Sequence, residues 1–211
     1  MAWYNDAMDN QPRWVQVLVL TAGELAFALV ALPLYVFFVL PAHSGGYPGF
    51  VPVVAQGADP ALAVLASLGV LAIALGAAVG LPRALGPEVF ETEEMSALID
   101  NFSVADYIPI FVAAGFAEEF LFRVVLLDMF GLIISSIAFA AIHLAYWKRP
   151  LLLVDVFALA LLLGALYLYT ESLLLCATIH AIYNIAVSVF MKNGIIPRSK
   201  VPAAGEDLPI A

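Results

Sequence analysis

Three ionisable residues stand within six positions in the run Ala117-Glu118-Glu119-Phe120-Leu121-Phe122-Arg123, inside a stretch that is otherwise apolar. One ionisable group at the centre of a membrane helix costs about 2.5–3.5 kcal/mol on insertion scales, so three so close together imply function by default. At about 100° per residue, Glu119 and Arg123 project about 40° apart and pair along one helical face. Glu118 and Arg123 lie about 140° apart on the same helix, which frees the Glu118 carboxyl to face a cavity. The two acids then have different work, with Glu118 handling protons and Glu119 held by the guanidinium. A buried Glu–Arg pair that only locks helices together is the plain alternative.

Two later stretches bring more polar groups into apolar surroundings. Phe139 and His143 are four residues apart, as are His180 and Asn184, so each pair shares a helical face. Either His alone would read as a packing residue. Taken with Glu118, they outline one shared site. Glu24 and Asp155 read first as structural groups that would line the same cavity or meet a neighbouring helix. Ser135 and Ser136 read as partners for backbone near a helix start. Cys176 lies in a hydrophobic run and has no second cysteine to pair with. His43, beside Ser44 and Gly45, receives no role.

These groups need rigid elements to hold them, and the composition says of what kind. The 211 residues are 64% hydrophobic and only 12% charged, with a mean hydropathy of +1.02. That profile excludes an ordinary soluble domain and places the chain in a bilayer. Apolar runs broken by Pro, Gly and charge predict an all-α, polytopic transmembrane bundle of about six spans: Trp14–Pro41, Pro60–Leu81, Tyr107–Gly131, Leu132–Trp147, Pro150–Tyr169 and Glu171–Met191. The third and fourth are joined almost without a loop.

Arg13, Arg83, Lys148, Arg149, Lys192, Arg198 and Lys200 all fall on one side of this arrangement, which predicts a protein integral to the cell membrane with both termini cytoplasmic. One transmembrane domain over residues 14–192 is expected, flanked by a cytoplasmic N-terminus (1–13) and tail (193–211). The stretch from Glu88 to Asp106 reads as a solvated loop or an interfacial helix, and His43 to Asp59 as an outer loop. Gly76 and Gly80 form a small-residue pair suited to close helix contact. A net charge of -9 argues against nucleic acid or anionic lipid as a partner for a basic surface. The acidity and low lysine content suit a prokaryotic source.

The order Glu118-Glu119-x-x-x-Arg123, then Phe139-x-x-x-His143, then His180-x-x-x-Asn184 resembles the three motifs of the CPBP family, the CAAX proteases and bacteriocin-processing enzymes. The resemblance implies a helical intramembrane endopeptidase; eukaryotic members cut the last three residues from prenylated CAAX proteins. Carried over by position, Glu118 and His143 would activate a water, His180 and Asn184 would stabilise the oxyanion, and Glu119, Arg123 and Phe139 would support the site. The substrate would be a membrane-associated protein or peptide, prenylated in the eukaryotic manner or not. Larger members have more spans, which leaves the substrate pocket of this chain to be found.

No cofactor is expected. Members are often labelled metalloproteases, and zinc is the alternative, with Glu118, His143 and His180 as a His2Glu set, although the chain has no His-Glu-x-x-His helix. Two rival classes remain open: a catalytically inert immunity or scaffold protein, and a proton-coupled transporter built on the same buried Glu and His. Straight helices pose a difficulty of depth: Glu118 falls about 16 Å from the start of its span and His143 about 6 Å from the end of the next.

Overall fold

The computed structural model describes residues 10–43 and 59–199, and within them the regular structure is helical. Most of the expected outer loop, and the tail beyond Ser199 with Lys200, lie outside the described residues.

Helix α1 runs over Arg13–Leu34 and continues through a π stretch at Tyr35–Val39 to Ala42. The π stretch follows Pro33, which has no N–H to give the ladder. Helix α2, Pro60–Leu85, begins where the Asp59 side chain accepts from the N–H of Ala61 at 2.8 Å. Its first helical residue is a proline, whose fixed φ suits that position. A short helix α3, Glu93–Asn101, is capped by the Thr92 hydroxyl and carries Glu93 and Glu94 in its first turn. It is the surface helix that the Glu88 to Asp106 stretch allowed for.

Helix α4, Val104–Glu119, starts where the Asp106 carboxylate accepts from the N–H of Ser103 at 2.8 Å. It passes into a π stretch, Phe120–Leu126, and then into α5, Leu127–Ile142, which is broken at Gly131. Gly131 has φ +80°, a conformation that a residue with a Cβ rarely adopts. The chain folds back there: the rings of Phe122 and Phe139 are 5.0 Å apart, whereas seventeen residues of straight helix would separate them by about 25 Å. Helices α6, Pro150–Thr170, and α7, Leu173–Lys192, complete the bundle. A left-handed Glu171 ends α6, and the Ser172 hydroxyl caps α7.

Among the described residues, five helical segments are long and apolar enough to cross a membrane: Arg13–Ala42, Pro60–Leu85, Val104–Ile142, Pro150–Thr170 and Leu173–Lys192. The 39-residue third segment holds both limbs of the expected hairpin. The second limb differs from the expected helix over Leu132–Trp147, because α-helix stops at Ile142 and a 3-10 turn, Leu144–Tyr146, carries the chain onward. This also answers the difficulty of depth. Glu118 lies thirteen residues before Gly131 and His143 twelve after it, so the two stand about 20 Å and about 18 Å from the bend.

Helix α4 packs between α1 and α7, α5 lies against α6 and the π stretch, and α2 packs on α6 and α7. The polarity is that of a membrane protein: Glu118, Glu119, Arg123 and His180 are buried, while Trp14, Leu29, Phe37, Ile133 and Val154 are exposed. With no water to satisfy it, backbone in the apolar layer must stay helical. Cations gather at one end. Arg13 pairs with Asp106, Arg83 reaches the carbonyl of Ile195, Arg149 that of Glu91, and Lys192 those of Ile99 and Phe102. Arg198 binds Asp100 and Glu91 at the same end. His43, to which no role was given, meets Asp128 at 3.0 Å.

Candidate active site

The π stretch that follows Glu119 opens the backbone ladder where the buried charges are densest. The hydroxyl of Ser135, on the returning limb, donates at 2.5 Å to the carbonyl of Phe122, which also accepts the Leu127 N–H in the π ladder. Within this segment the expected pair forms. Arg123 Nε lies 2.7 Å from Glu119 Oε2 and Nη2 lies 3.4 Å from Oε1, with both side chains fully buried. Phe139 packs its ring 5.1 Å from the guanidinium carbon, close enough for a cation–π contact in a dry setting. The same ring lies 5.0 Å from that of His143 and 5.8 Å from that of His180, which gives the motif phenylalanine a packing role at the centre of the cluster.

Helix α7 joins this core through His180, whose Nδ1 is 3.0 Å from Glu119 Oε1. A carboxylate in contact with a guanidinium accepts only, so the His180 Nδ1 carries a hydrogen and the ring's other nitrogen, Nε2, is turned away from Glu119. Sequence spacing gave no sign of this contact, which links residues 61 apart. It requires close approach of α4 and α7 at Gly115, where an added Cβ would stand 2.7 Å from the carbonyl oxygen of Ala177.

His143 is oriented by the end of its own helix. Its N–H turns to the carbonyl of Ala140 at 3.2 Å, which leaves the Phe139 carbonyl without its usual partner. The His143 ring supplies one, with Nδ1 at 2.7 Å from that oxygen. Only a ring N–H can satisfy a carbonyl, so His143 Nε2 is left as a bare acceptor in the neutral ring. Tyr146, three residues on, stacks on His143 at 5.2 Å.

These side chains share one cavity of about 480 Å³. Glu118, His143, His180 and Asn184 all line it, as do Phe139, Glu24 and Asp155. Glu118 is 7% exposed, and its Oε2 has no hydrogen-bond partner among the described residues. Glu119 and Arg123 lie behind the wall. Tyr146 and Tyr183 face the cavity as well and were not anticipated, although each follows a site His by three residues. Ser135 and Ser136 are fully buried and lie off the lining. Cys176 is buried in the apolar core.

Among the described residues no three His, Cys, Asp or Glu side chains are grouped as a metal site needs, so Glu118, His143 and His180 do not form the His2Glu alternative.

Fold and site together define a multi-pass helical membrane protein whose bundle holds an open cavity, largely apolar, with an acid, two imidazoles and a carboxamide in its wall. Residues 100–186 match the family model described as type II CAAX prenyl endopeptidase Rce1-like. The matched stretch carries the cavity's acid, imidazoles and carboxamide, and the family it matches is the one that the three motifs resemble. The chain is also 37% identical over 86 residues to the uncharacterized protein YpbD of Bacillus subtilis (strain 168). Those residues are 41% of this chain and 46% of YpbD, so the match spans about half of that relative's length. No solved structure matches the chain at a significant level.

Proposed function

We propose that this protein is an intramembrane endopeptidase that hydrolyses a peptide bond with a water activated by Glu118 and His143. The carrying observation is Glu118, a buried acid with one oxygen unpartnered among the described residues, on a cavity that His143, His180 and Asn184 also line. A buried carboxylate oxygen without a partner costs stability and persists where a reaction uses it.

In this reading Glu118 takes a proton from water as the water oxygen attacks the scissile carbonyl. His143 Nε2 accepts a hydrogen bond from the same water and sets its direction. The developing oxyanion is met by the Asn184 amide and by His180 Nε2–H when that ring carries both protons, a form that the Glu119 carboxylate supports. The C–N bond then breaks as the proton held by Glu118 passes to the leaving amine. Arg123 and Phe139 fix Glu119 and the rings, and no metal takes part.

The substrate is a membrane-associated protein or peptide, and the apolar part of the lining, with Phe27, Phe111 and Leu159, suits a prenyl or acyl chain beside the peptide. The cation-rich end of the bundle, and with it both termini, faces the cytoplasm. Comparing the membrane proteome of cells making the wild-type protein with that of cells making Glu118→Gln tests this directly. The expected result is a fragment that disappears in the variant while the protein still inserts and folds. Undiminished fragment in the variant would refute the assignment.

A further inference from the structure

The charge balance of the cavity says more about what enters it. Acids elsewhere in the bundle meet cations: Glu119 meets Arg123 and His180, Glu91 and Asp100 meet Arg198, Asp106 meets Arg13, and Asp128 meets His43. The acids that are at least partly buried and have no hydrogen bond or ion pair among the described residues are Glu24, Glu118 and Asp155. They come from α1, α4 and α6, and all three line this one cavity. Glu94 of α3 joins them at its surface end, and no Lys or Arg is part of the lining. The Glu118 side chain on this lining is more than nine-tenths buried with one oxygen unpartnered among the described residues, so the acids border a space that lacks a counter-charge.

Carboxylates in a low-dielectric enclosure repel one another unless a cation comes between them. His143 gives its ring N–H to a carbonyl, and the one charge that His180 gains when it carries both protons is already set against Glu119, which leaves the wall with more acids than cations. Glu118 is needed for the water. We propose that Glu24 and Asp155 form a specificity site for a cationic side chain, Lys or Arg, of the substrate peptide next to the bond that is cut. This rests on the endopeptidase reading and adds a substrate class to it. The ammonium or guanidinium sits between α1 and α6 and holds the peptide across the catalytic groups, while Glu94 attracts it at the entrance.

The test is a panel of quenched fluorescent peptides that differ at single positions, with Lys or Arg replaced by norleucine, citrulline or Glu. They are offered to the purified full chain in detergent and, in parallel, their binding is measured on Glu118→Gln. The expected result is a kcat/KM at least tenfold higher for the Lys or Arg peptide than for its norleucine or citrulline partner at one position near the cut. In Glu24→Gln and Asp155→Asn that ratio should collapse toward one, and Asp155→Lys should turn the preference toward the Glu peptide. Cleavage by the wild type with no preference for charge at any position would overturn the specificity site and leave the peptidase standing. Selective binding of cationic peptides without cleavage of any would keep the site and remove the peptidase. Equal binding of all peptides with no cleavage would remove both.

Discussion

His180 Nδ1 stands 3.0 Å from Glu119 Oε1, and the Glu119 carboxylate in turn holds Arg123 at 2.7 Å. One fully buried acid therefore ties α7 to α4 and sets the tautomer of an imidazole on the cavity wall. Glu119 and Arg123 belong to the structure of the site, and in the proposed reaction Glu118 belongs to its chemistry.

Removing one partner of this pair should do more harm than removing both. Glu119→Gln leaves Arg123 buried without its counter-ion, and breaking such a pair costs about 3–5 kcal/mol. The double variant Glu119→Gln/Arg123→Met should recover part of that stability but no activity, because His180 still loses its orienting carboxylate. Thermal unfolding in detergent and peptide cleavage, measured on the same samples, separate the two effects. A double variant less stable than Glu119→Gln would argue against a locked pair.

Gly115 should tolerate no side chain. An added Cβ stands 2.7 Å from the Ala177 carbonyl oxygen, so Gly115→Ala must push α4 from α7 and lengthen the Glu119–His180 contact. Overpacking of this kind costs about 1–3 kcal/mol. Cleavage should fall by more than stability does, since the displaced contact orients a cavity residue. Gly76→Ala, where nothing lies within 4 Å of the new Cβ, is the matched control and should behave as wild type.

Phe139 is 1% exposed and touches Arg123, His143 and His180, so Phe139→Ala should cost about 3–5 kcal/mol and lower kcat more than it raises KM. Phe139→Tyr keeps the ring and should keep most of the stability. Equal stability of the Ala variant and the wild type would remove the central packing role assigned here.

The segment after α7 should loosen in acid. Arg198 donates to both oxygens of Asp100, at 2.6 and 3.0 Å, and its hydrogen bonds and charge hold that carboxyl below the usual range. Burial alone would raise Glu91, but hydrogen bonds from Ser96, Ser199 and Arg198 outweigh it and hold this carboxyl low too. A carboxyl lowered in the folded state stabilises above its unfolded value, about 3.9 for Asp and 4.3 for Glu, and loses that contribution as pH falls through the folded one. The protection of amides over 90–101 and 193–199, taken as exchange relative to unstructured chain at the same pH, should therefore be high and flat at neutral pH and fall below about pH 4. Arg198→Gln should show low protection at both values; wild-type protection in that variant would contradict the account.

Activity should survive chelators. No three ligating side chains are grouped among the described residues, and the proposed reaction uses side chains alone. Cleavage by the purified protein should be unchanged after EDTA or phenanthroline and should gain nothing from added zinc. Loss on chelation with recovery on zinc would require the site to be redrawn.

The sequence by itself determined that this chain is a helical membrane protein, because its composition leaves no soluble alternative and only helices satisfy backbone in lipid. Spacing within single helices was also legible. Glu119 and Arg123, or Phe139 and His143, fall on one face by the helical period, and they do meet. The hairpin was marked by Gly131, yet where its second limb would stop being α-helix was not, since the ring of His143 closes the helix by taking the Phe139 carbonyl. What only the tertiary structure decided are the relations between helices: His180 on Glu119, Glu24 and Asp155 on the same cavity as Glu118, and the surface helix α3 at its rim. Periodicity fixes directions around one axis, whereas the distance between two axes depends on how side chains interlock, and at Gly115 on the lack of one.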